Sequence, residues 1–97
     1  MNNKEIALKT AAVLSAKKAR DLIAIDVTGR SSFADYLILA TGGSERQVGT
    51  LASEVMDQLA KEGILAKNVE GKQSSGWILM DYGDIIVNVF SEEQRSR

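Results

Sequence analysis

The stretch GWILMDYGDIIVNVF, residues 76–90, constrains the fold of this chain more than any other segment. Apolar residues alternate on both sides of a Tyr-Gly pair at 82–83, a pattern typical of two β-strands joined by a tight turn. With a two-residue turn, Asp81 faces Asp84 and Trp77 faces Asn88. One face of the hairpin is then wholly apolar and needs helices to cover it, and its residues are Ile78, Met80, Ile85, Val87 and Val89.

The opposite face of the hairpin mixes large apolar side chains with polar ones. Two main helices can cover only one side of a five-stranded sheet, so we expect part of this mixed face to be open to water. An exposed Trp with apolar neighbours and a polar rim has the composition of a protein-docking patch. The alternative is that Trp77 fills the core or packs beneath the polar loop at 72–76. The mixed face contains Trp77, Leu79, Asp81, Asp84, Ile86, Asn88 and Phe90.

Asp81 and Asp84 lie opposite each other in this register, and like charges so placed destabilise a hairpin. One interpretation is two solvated turn aspartates of no special function. The other is a pair that awaits a cation. A Lys or Arg of a partner protein needs only one or two carboxylates, whereas a divalent metal needs more oxygen ligands.

The rest of the chain predicts a single α+β domain over residues 1–97. The uninterrupted apolar run at 36–41 predicts a central strand buried on both faces. The order is α-β-β-α-β-β-β, with two main helices and about five strands. The predicted elements are a helix at 4–18, strands at 21–27 and 36–41, a helix from Ser44 to a C-terminal cap at Gly63, strands at 65–71, 77–81 and 84–90, and a helical turn from Ser91.

The composition excludes several classes of function. The chain has no Cys and no His, which removes Ser-His-Asp triads, thiolate nucleophiles and the common zinc sites. With 12 basic and 13 acidic residues the net charge is −1, so we expect no strong direct binding to nucleic acid. No apolar run is long enough to span a bilayer and no signal peptide is evident, which makes a cytoplasmic location the default.

A nucleotide site is the alternative of a different class. The turn Gly42-Gly43-Ser44 precedes a helix, and such turns can bring backbone amides to a phosphate. The same residues are explained without a ligand by a capping box, in which Ser44 caps the helix and Gln47 reaches back. No complete phosphate-loop motif is present, and the aspartates do not alternate in a strand as a two-magnesium site requires.

The segments SSFADYLILATGGSERQV, VEGK and GWILMDYGDIIVNVF, in this order and spacing, resemble the ribosomal silencing factor family, also called the Iojap or RsfS family. The resemblance implies a mixed sheet with a nucleotidyltransferase-like outline but no enzymatic activity, no cofactor and a homodimer when free. It also implies binding to the large ribosomal subunit through its fourteenth protein. Joining of the small subunit is thereby blocked, and protein synthesis falls when nutrients are scarce.

By the same resemblance, seven residues are expected to contact the partner. Trp77 would be the anchor and Asp81 the charge that selects the register. Phe33, in a polar connection, is either such an anchor or a staple onto the core. A third possibility is a dimeric scaffold whose hairpin face serves only self-association. The expected contact residues are Trp77, Leu79, Asp81, Tyr82, Asp84, Phe33 and Tyr36.

Two departures from the family pattern limit what carries over. Asn88 stands where family members commonly have His, so any contact or pH dependence of that imidazole is absent here. Members of the family also usually continue past SEEQRSR into an aromatic and Leu-rich tail, which this sequence does not contain.

Overall fold

The computed structural model describes residues 1–96 and forms one five-stranded sheet with two long helices on one face. The predicted α+β class and element order are confirmed. The elements are α1 (Asn3–Ala16), β1 (Arg20–Asp26), β2 (Tyr36–Gly42), α2 (Glu45–Ala60), β3 (Asn68–Lys72), a 3-10 turn (Gln73–Ser75), β4 (Trp77–Asp81), β5 (Ile85–Ser91) and the short α3 (Glu92–Arg95). No helix in residues 1–96 is long and apolar enough to cross a membrane.

Helix α1 is bounded by local hydrogen bonds at both ends. The Asn2 side chain accepts from the Glu5 backbone N–H at 2.8 Å, and the Glu5 carboxylate accepts from the Asn2 N–H at 3.1 Å. Lys18 takes a left-handed φ of 68°, which stops the helix two residues before the predicted end. Lys17 and Lys18 therefore lie just beyond it.

Helix α2 begins and ends where the sequence indicates, although one capping contact differs. Ser44 accepts a hydrogen bond from the Gln47 N–H at 3.1 Å, and Gly63 adopts a left-handed φ of 77°. The side chain of Gln47 accepts from the N–H of Gly43 at 2.6 Å rather than from that of Ser44. The predicted capping box is therefore only half present.

The strand order is β1-β2-β5-β4-β3, with β2 and β5 parallel and all other neighbours antiparallel. The sheet is therefore mixed. α2 lies in the connection that leaves β2, as a parallel pair requires a long crossover. The strand predicted to be central, β2, is an inner strand, while β5 takes the middle position. β3 starts three residues later than predicted, and part of the expected loop at 72–76 is the 3-10 turn.

The predicted register of the β4–β5 hairpin is wrong by two residues. Trp77 pairs with Phe90 and Asp81 pairs with Ile86, so Asp81 and Asp84 do not face each other. Four residues, 82–85, lie between the paired Asp81 and Ile86, and within this turn the Tyr82 N–H donates to the Ile85 carbonyl at 2.9 Å. Because side chains alternate with a period of two, an even shift leaves every residue on its predicted face.

The hydrophobic core lies between the helices and one face of the sheet. All five residues of the predicted apolar face of the hairpin are buried there. The buried residues of α2 form the apolar stripe that their spacing of three and four in the sequence predicts, and they are Val48, Leu51, Ala52, Val55 and Leu59. The largest fully buried side chains are Leu14, Ile38, Val48, Leu51, Val55, Leu59, Met80, Ile85, Val87 and Val89.

Candidate functional site

The sheet face opposite α1 and α2 carries a row of mostly apolar side chains, interrupted by Asn88. Paired positions extend it from Ile23 in β1 through Leu39 in β2 and Asn88 in β5 to Leu79 in β4. Trp77 is 46% exposed, and Ile23 and Ile25 are also exposed. We call this surface the open face, and it consists of Ile23, Ile25, Leu37, Leu39, Trp77, Leu79, Asp81, Ile86, Asn88 and Phe90.

Two neighbours fix the orientation of the Trp77 ring. The ring stacks on Phe90 with centroids 5.5 Å apart and an interplanar angle of 21°. Its indole Nε1–H donates to Oδ1 of Asn88 at 3.0 Å. Trp77 is therefore a half-exposed aromatic group held from one side, which is the arrangement of a preformed anchor.

Helix α3 places a cation at one end of the open face. The guanidinium carbon of Arg95 lies 5.9 Å from the centroid of the Phe90 ring. Its Nη1 donates to Oγ1 of Thr41 at 2.7 Å and its Nη2 donates to the carbonyl of Asp21 at 3.0 Å. The short helix thus supports the Trp77–Phe90 stack from the side away from Trp77.

Carboxylates gather at the opposite end of the sheet. Asp81 accepts from the Gly83 N–H at 2.7 Å, which shapes the turn. One side-chain amide, that of Asn3, donates to Asp35 at 3.0 Å and to Asp84 at 3.1 Å. The acidic edge expected from Asp81 and Asp84 is present, but Asp84 is paired in space with Asp35 rather than with Asp81.

The structure brings only part of the predicted contact set onto the open face. Trp77, Leu79 and Asp81 lie there. Tyr36 and Tyr82 instead pack against the core on the helix side of the sheet. Phe33, in the connection between β1 and β2, is 82% exposed and so is not a staple onto the core.

Tyr82 has an unusual environment for a residue predicted to contact a partner. Its hydroxyl is buried, and among residues 1–96 it is the one buried side-chain polar atom that lacks a hydrogen-bond partner. This burial raises the pKa of Tyr82 above its usual value of 10.0. The side chain therefore resembles a core aromatic more than a surface contact.

The Gly42-Gly43-Ser44 turn is shaped by packing and capping. A Cβ on Gly42 would lie 2.9 Å from the Val48 backbone nitrogen, so α2 can approach β2 only over a glycine. The Gly43 N–H is already bound to Gln47. The adjoining cleft is lined by Glu45, Glu92 and Glu93, and the Glu92 carboxylate is ion-paired with Arg20. No group of three potential metal-ligating side chains occurs within residues 1–96.

Sequence reasoning missed the β1 and β2 part of the open face. Interpreting β2 as buried on both faces concealed Leu37 and Leu39, which are only half-buried. The period-two spacing of Ile23 and Ile25 carried a usable signal, since alternating apolar residues in an edge strand need a covered or a docking face. Arg95 gave no signal, because its position depends on how α3 packs.

These features define a small α+β domain with a one-sided helical layer and an open apolar face that carries a half-exposed, preformed Trp. The family model described as ribosomal silencing factor during starvation matches residues 1–97. The chain belongs to this family of ribosomal silencing factors, as the sequence motifs predicted.

Individual relatives agree with this assignment. The chain is 41% identical over 96 residues to the ribosomal silencing factor of Bacillus subtilis, covering 99% of this chain and 81% of the relative. A crystal structure of a protein from Chromobacterium violaceum superposes with a TM-score of 0.93 at 34% identity, covering 99% of this chain and 80% of that one. A crystal structure from Bacillus halodurans gives 0.80 at 31% identity, covering 96% and 84%.

Proposed function

We propose that this protein represses translation in the cytoplasm by binding the large ribosomal subunit through its open face and sterically preventing the small subunit from joining. It acts by occupying a surface and uses no catalytic group or cofactor. One observation carries the proposal: in a member of the ribosomal silencing factor family, the single Trp is 46% exposed on an apolar sheet face that neither α1 nor α2 covers.

The composition of the open face supports protein docking over other roles. An aromatic stack with Ile and Leu side chains on the same face, bordered by the charged residues Glu70 and Lys72 of the edge strand β3, matches the apolar part and polar rim of protein interfaces. The carboxylate of Asp81 and the Asp35–Asp84 pair suit a basic partner. We propose that this partner is the fourteenth protein of the large subunit, as the family resemblance implies.

Within this proposal Trp77 and Leu79 are the apolar contacts and Asp81 is the charged contact. Phe33 and Asp84 lie toward the acidic end of the sheet and would form a second, peripheral contact there. Tyr36 and Tyr82 are left out of the proposed contact, because both pack toward the helices.

Co-sedimentation with purified large subunits tests the docking face. Trp77→Glu places a charge on this face, and loss of an interface Trp costs about 2 kcal/mol or more, or roughly thirtyfold in affinity. Leu8→Glu is the matched control, since Leu8 is 61% exposed on α1 and the charge change is identical. We expect binding to be lost in the first variant and kept in the second, with both folded by circular dichroism.

Retention of binding by a folded Trp77→Glu protein would contradict the proposed face. Subunit joining is measured in parallel by light scattering on mixing small and large subunits. The wild-type protein should lower the amplitude and Trp77→Glu should not.

A photo-crosslinking residue at Ile23 tests the identity of the partner. Ile23 is exposed in β1 at the margin of the open face, so a crosslinker there disturbs neither the core nor the Trp77 stack. Mass spectrometry of the crosslinked product should identify the fourteenth protein of the large subunit. A crosslink to another ribosomal protein would contradict the proposed partner but not the proposed docking face.

We further propose that the free protein is a homodimer. Sedimentation velocity of the wild type and of Trp77→Glu separates this state from the ribosomal role. A scaffold that used the open face only for self-association would lose its dimer in the variant and would not bind large subunits in the wild type.

A further inference from the structure

A small pocket opens beside Trp77 on the open face, between β3 and β4. It is lined by Glu70, Gly71, Ser75, Trp77 and Leu79. Glu70 is the cross-strand partner of Leu79, so a carboxylate stands directly across from the aliphatic wall. We call this pocket the Trp77 slot.

The polar groups of the Trp77 slot are nearly all used within the chain. The Ser75 hydroxyl lies 2.7 Å from the Lys72 carbonyl and 3.1 Å from the Trp77 carbonyl, so it is satisfied locally. The Trp77 indole N–H is bound to Asn88. A ligand in the slot therefore meets no free neutral donor from these two side chains.

Glu70 is the exception. Its side chain is exposed and makes no hydrogen bond or ion pair within the described part of the chain. Lys72, two residues further along β3, does not pair with it. The slot thus combines an aromatic wall, an aliphatic wall and one unpaired negative charge.

These walls fit a side chain with an apolar stem and a cationic end. Phe90 covers one face of the indole but does not line the slot, so a guest contacts the part of the ring that Phe90 leaves free. The stem of a Lys or Arg packs well on apolar surface while its charge stays at the rim. A cation near an indole face is attracted by the ring, and a carboxylate beside it adds a charge-assisted hydrogen bond.

We propose that the Trp77 slot binds one Lys or Arg side chain of the partner, with its stem against Trp77 and Leu79 and its cation on the Glu70 carboxylate. This inference rests on the proposed function and deepens it. It makes Glu70, which lies in the VEGK segment but was not among the expected contact residues, a specificity-determining residue of the docking face. It also means that Trp77 is recognised through its ring and not through its N–H.

Binding of purified large subunits is measured by co-sedimentation for Glu70→Gln across a series of salt concentrations. The amide keeps the size of the side chain and removes the charge. We expect affinity to fall roughly threefold to tenfold at low salt and the salt dependence to become shallower. Glu70→Arg should lose more than Glu70→Gln, because it repels the cation.

Asp57→Asn is the matched control, since Asp57 is exposed on α2, on the other side of the sheet, and the change in net charge is the same. Thermal unfolding of each variant verifies the fold. We expect the control to bind large subunits like the wild type at every salt concentration.

The outcomes separate the two proposals. If the wild type binds, Trp77→Glu does not, and Glu70→Gln matches Asp57→Asn in affinity and salt dependence, only the Trp77 slot is overturned. If the wild type itself fails to bind large subunits, both the proposed function and the proposed binding of a Lys or Arg in the Trp77 slot are contradicted. A selective, salt-sensitive loss in the Glu70 variants supports both.

Discussion

Replacing Tyr82 by Phe should stabilise this protein, although it removes a polar group that ordinarily finds a partner. The Tyr82 hydroxyl is buried without a hydrogen bond while the ring packs against the core. A buried unsatisfied polar group costs about 1–3 kcal/mol. Because the side chain as a whole is only half-buried, we expect a gain at the low end, about 1 kcal/mol. For a domain of this size that corresponds to a rise in Tm of about 4–8 °C.

Thermal unfolding at pH 7, followed by far-UV circular dichroism, measures the effect. Tyr36→Phe is the matched control, because no buried unpartnered hydroxyl occurs at Tyr36 in the described chain. We expect no comparable rise in Tm there. A fall in Tm for Tyr82→Phe would refute the reasoning, since it would mean that the hydroxyl makes a favourable bond in solution. Large-subunit binding should be unchanged, because the Tyr82 side chain packs on the helix side of the sheet.

The same residue predicts the behaviour of the protein in alkali. Burial raises the pKa of Tyr82 in the folded state, so the folded protein retains a proton that the unfolded chain gives up. Below the ordinary pKa of about 10 the titration of Tyr82 therefore does not change the free energy of unfolding of the wild type. As the pH rises further, the unfolded chain ionises first and the free energy of unfolding falls. Tyr82→Phe lacks the group. Its advantage in Tm over the wild type should grow above about pH 10, and a constant difference would contradict the assigned burial.

Two further substitutions test the packing that shapes the open face. Gly42→Ala should destabilise the protein by about 1–3 kcal/mol in urea unfolding, because its Cβ meets the Val48 backbone nitrogen at 2.9 Å. Gly43→Ala, whose nearest neighbour is a flexible side-chain atom at 3.2 Å, should cost clearly less, and equal losses would contradict the close approach. Asn88→Leu removes the acceptor of the Trp77 indole N–H and should cost about 0.5–1.5 kcal/mol. The indole proton, followed by NMR, should then exchange with solvent faster than in the wild type, and an unchanged rate would show that the hydrogen bond does not hold in solution.

The sequence was informative wherever structure depends on local chemistry. The cap at Ser44, the left-handed Gly63 and the apolar stripe of α2 were all identified correctly, because each depends on residues within one or two helical turns. The two faces of the hairpin were also right, since alternation has a period of two. An error of two residues in register does not disturb it.

What the sequence did not reveal depends on contacts between distant residues. The turn after β4 is wider than predicted because Asp81 bonds the Gly83 N–H, a choice among turn types that composition does not decide. The parallel pairing of β2 with β5 joins residues nearly 50 positions apart, for instance Ile38 with Val87, and leaves no local signal.

The candidate site shows the same division. Trp77 and Leu79 were predicted from alternation and found on the open face. Glu70 was not predicted, because its proposed role depends on its position across from Leu79 and on the lack of a partner for its carboxylate within the described residues. Tyr36 and Tyr82 were expected from the family resemblance and not from alternation, and both pack against the core.

The position of β5 determines when the sheet and the open face can form during synthesis of the protein. The strand that completes the middle of the sheet is the fifth of five along the chain, so α1, β1, β2 and α2 all leave the ribosome before it. Until residues 85–91 have emerged, the inner edge of β2 is unpaired and the apolar stripe of α2 cannot pack against β5. Such a nascent chain exposes apolar side chains and unpaired backbone hydrogen-bonding groups. It therefore depends on rapid completion of the sheet or on a chaperone. Because the open face includes residues of β5, it can form only after residues 85–91 have been synthesised and have paired with β2 and β4.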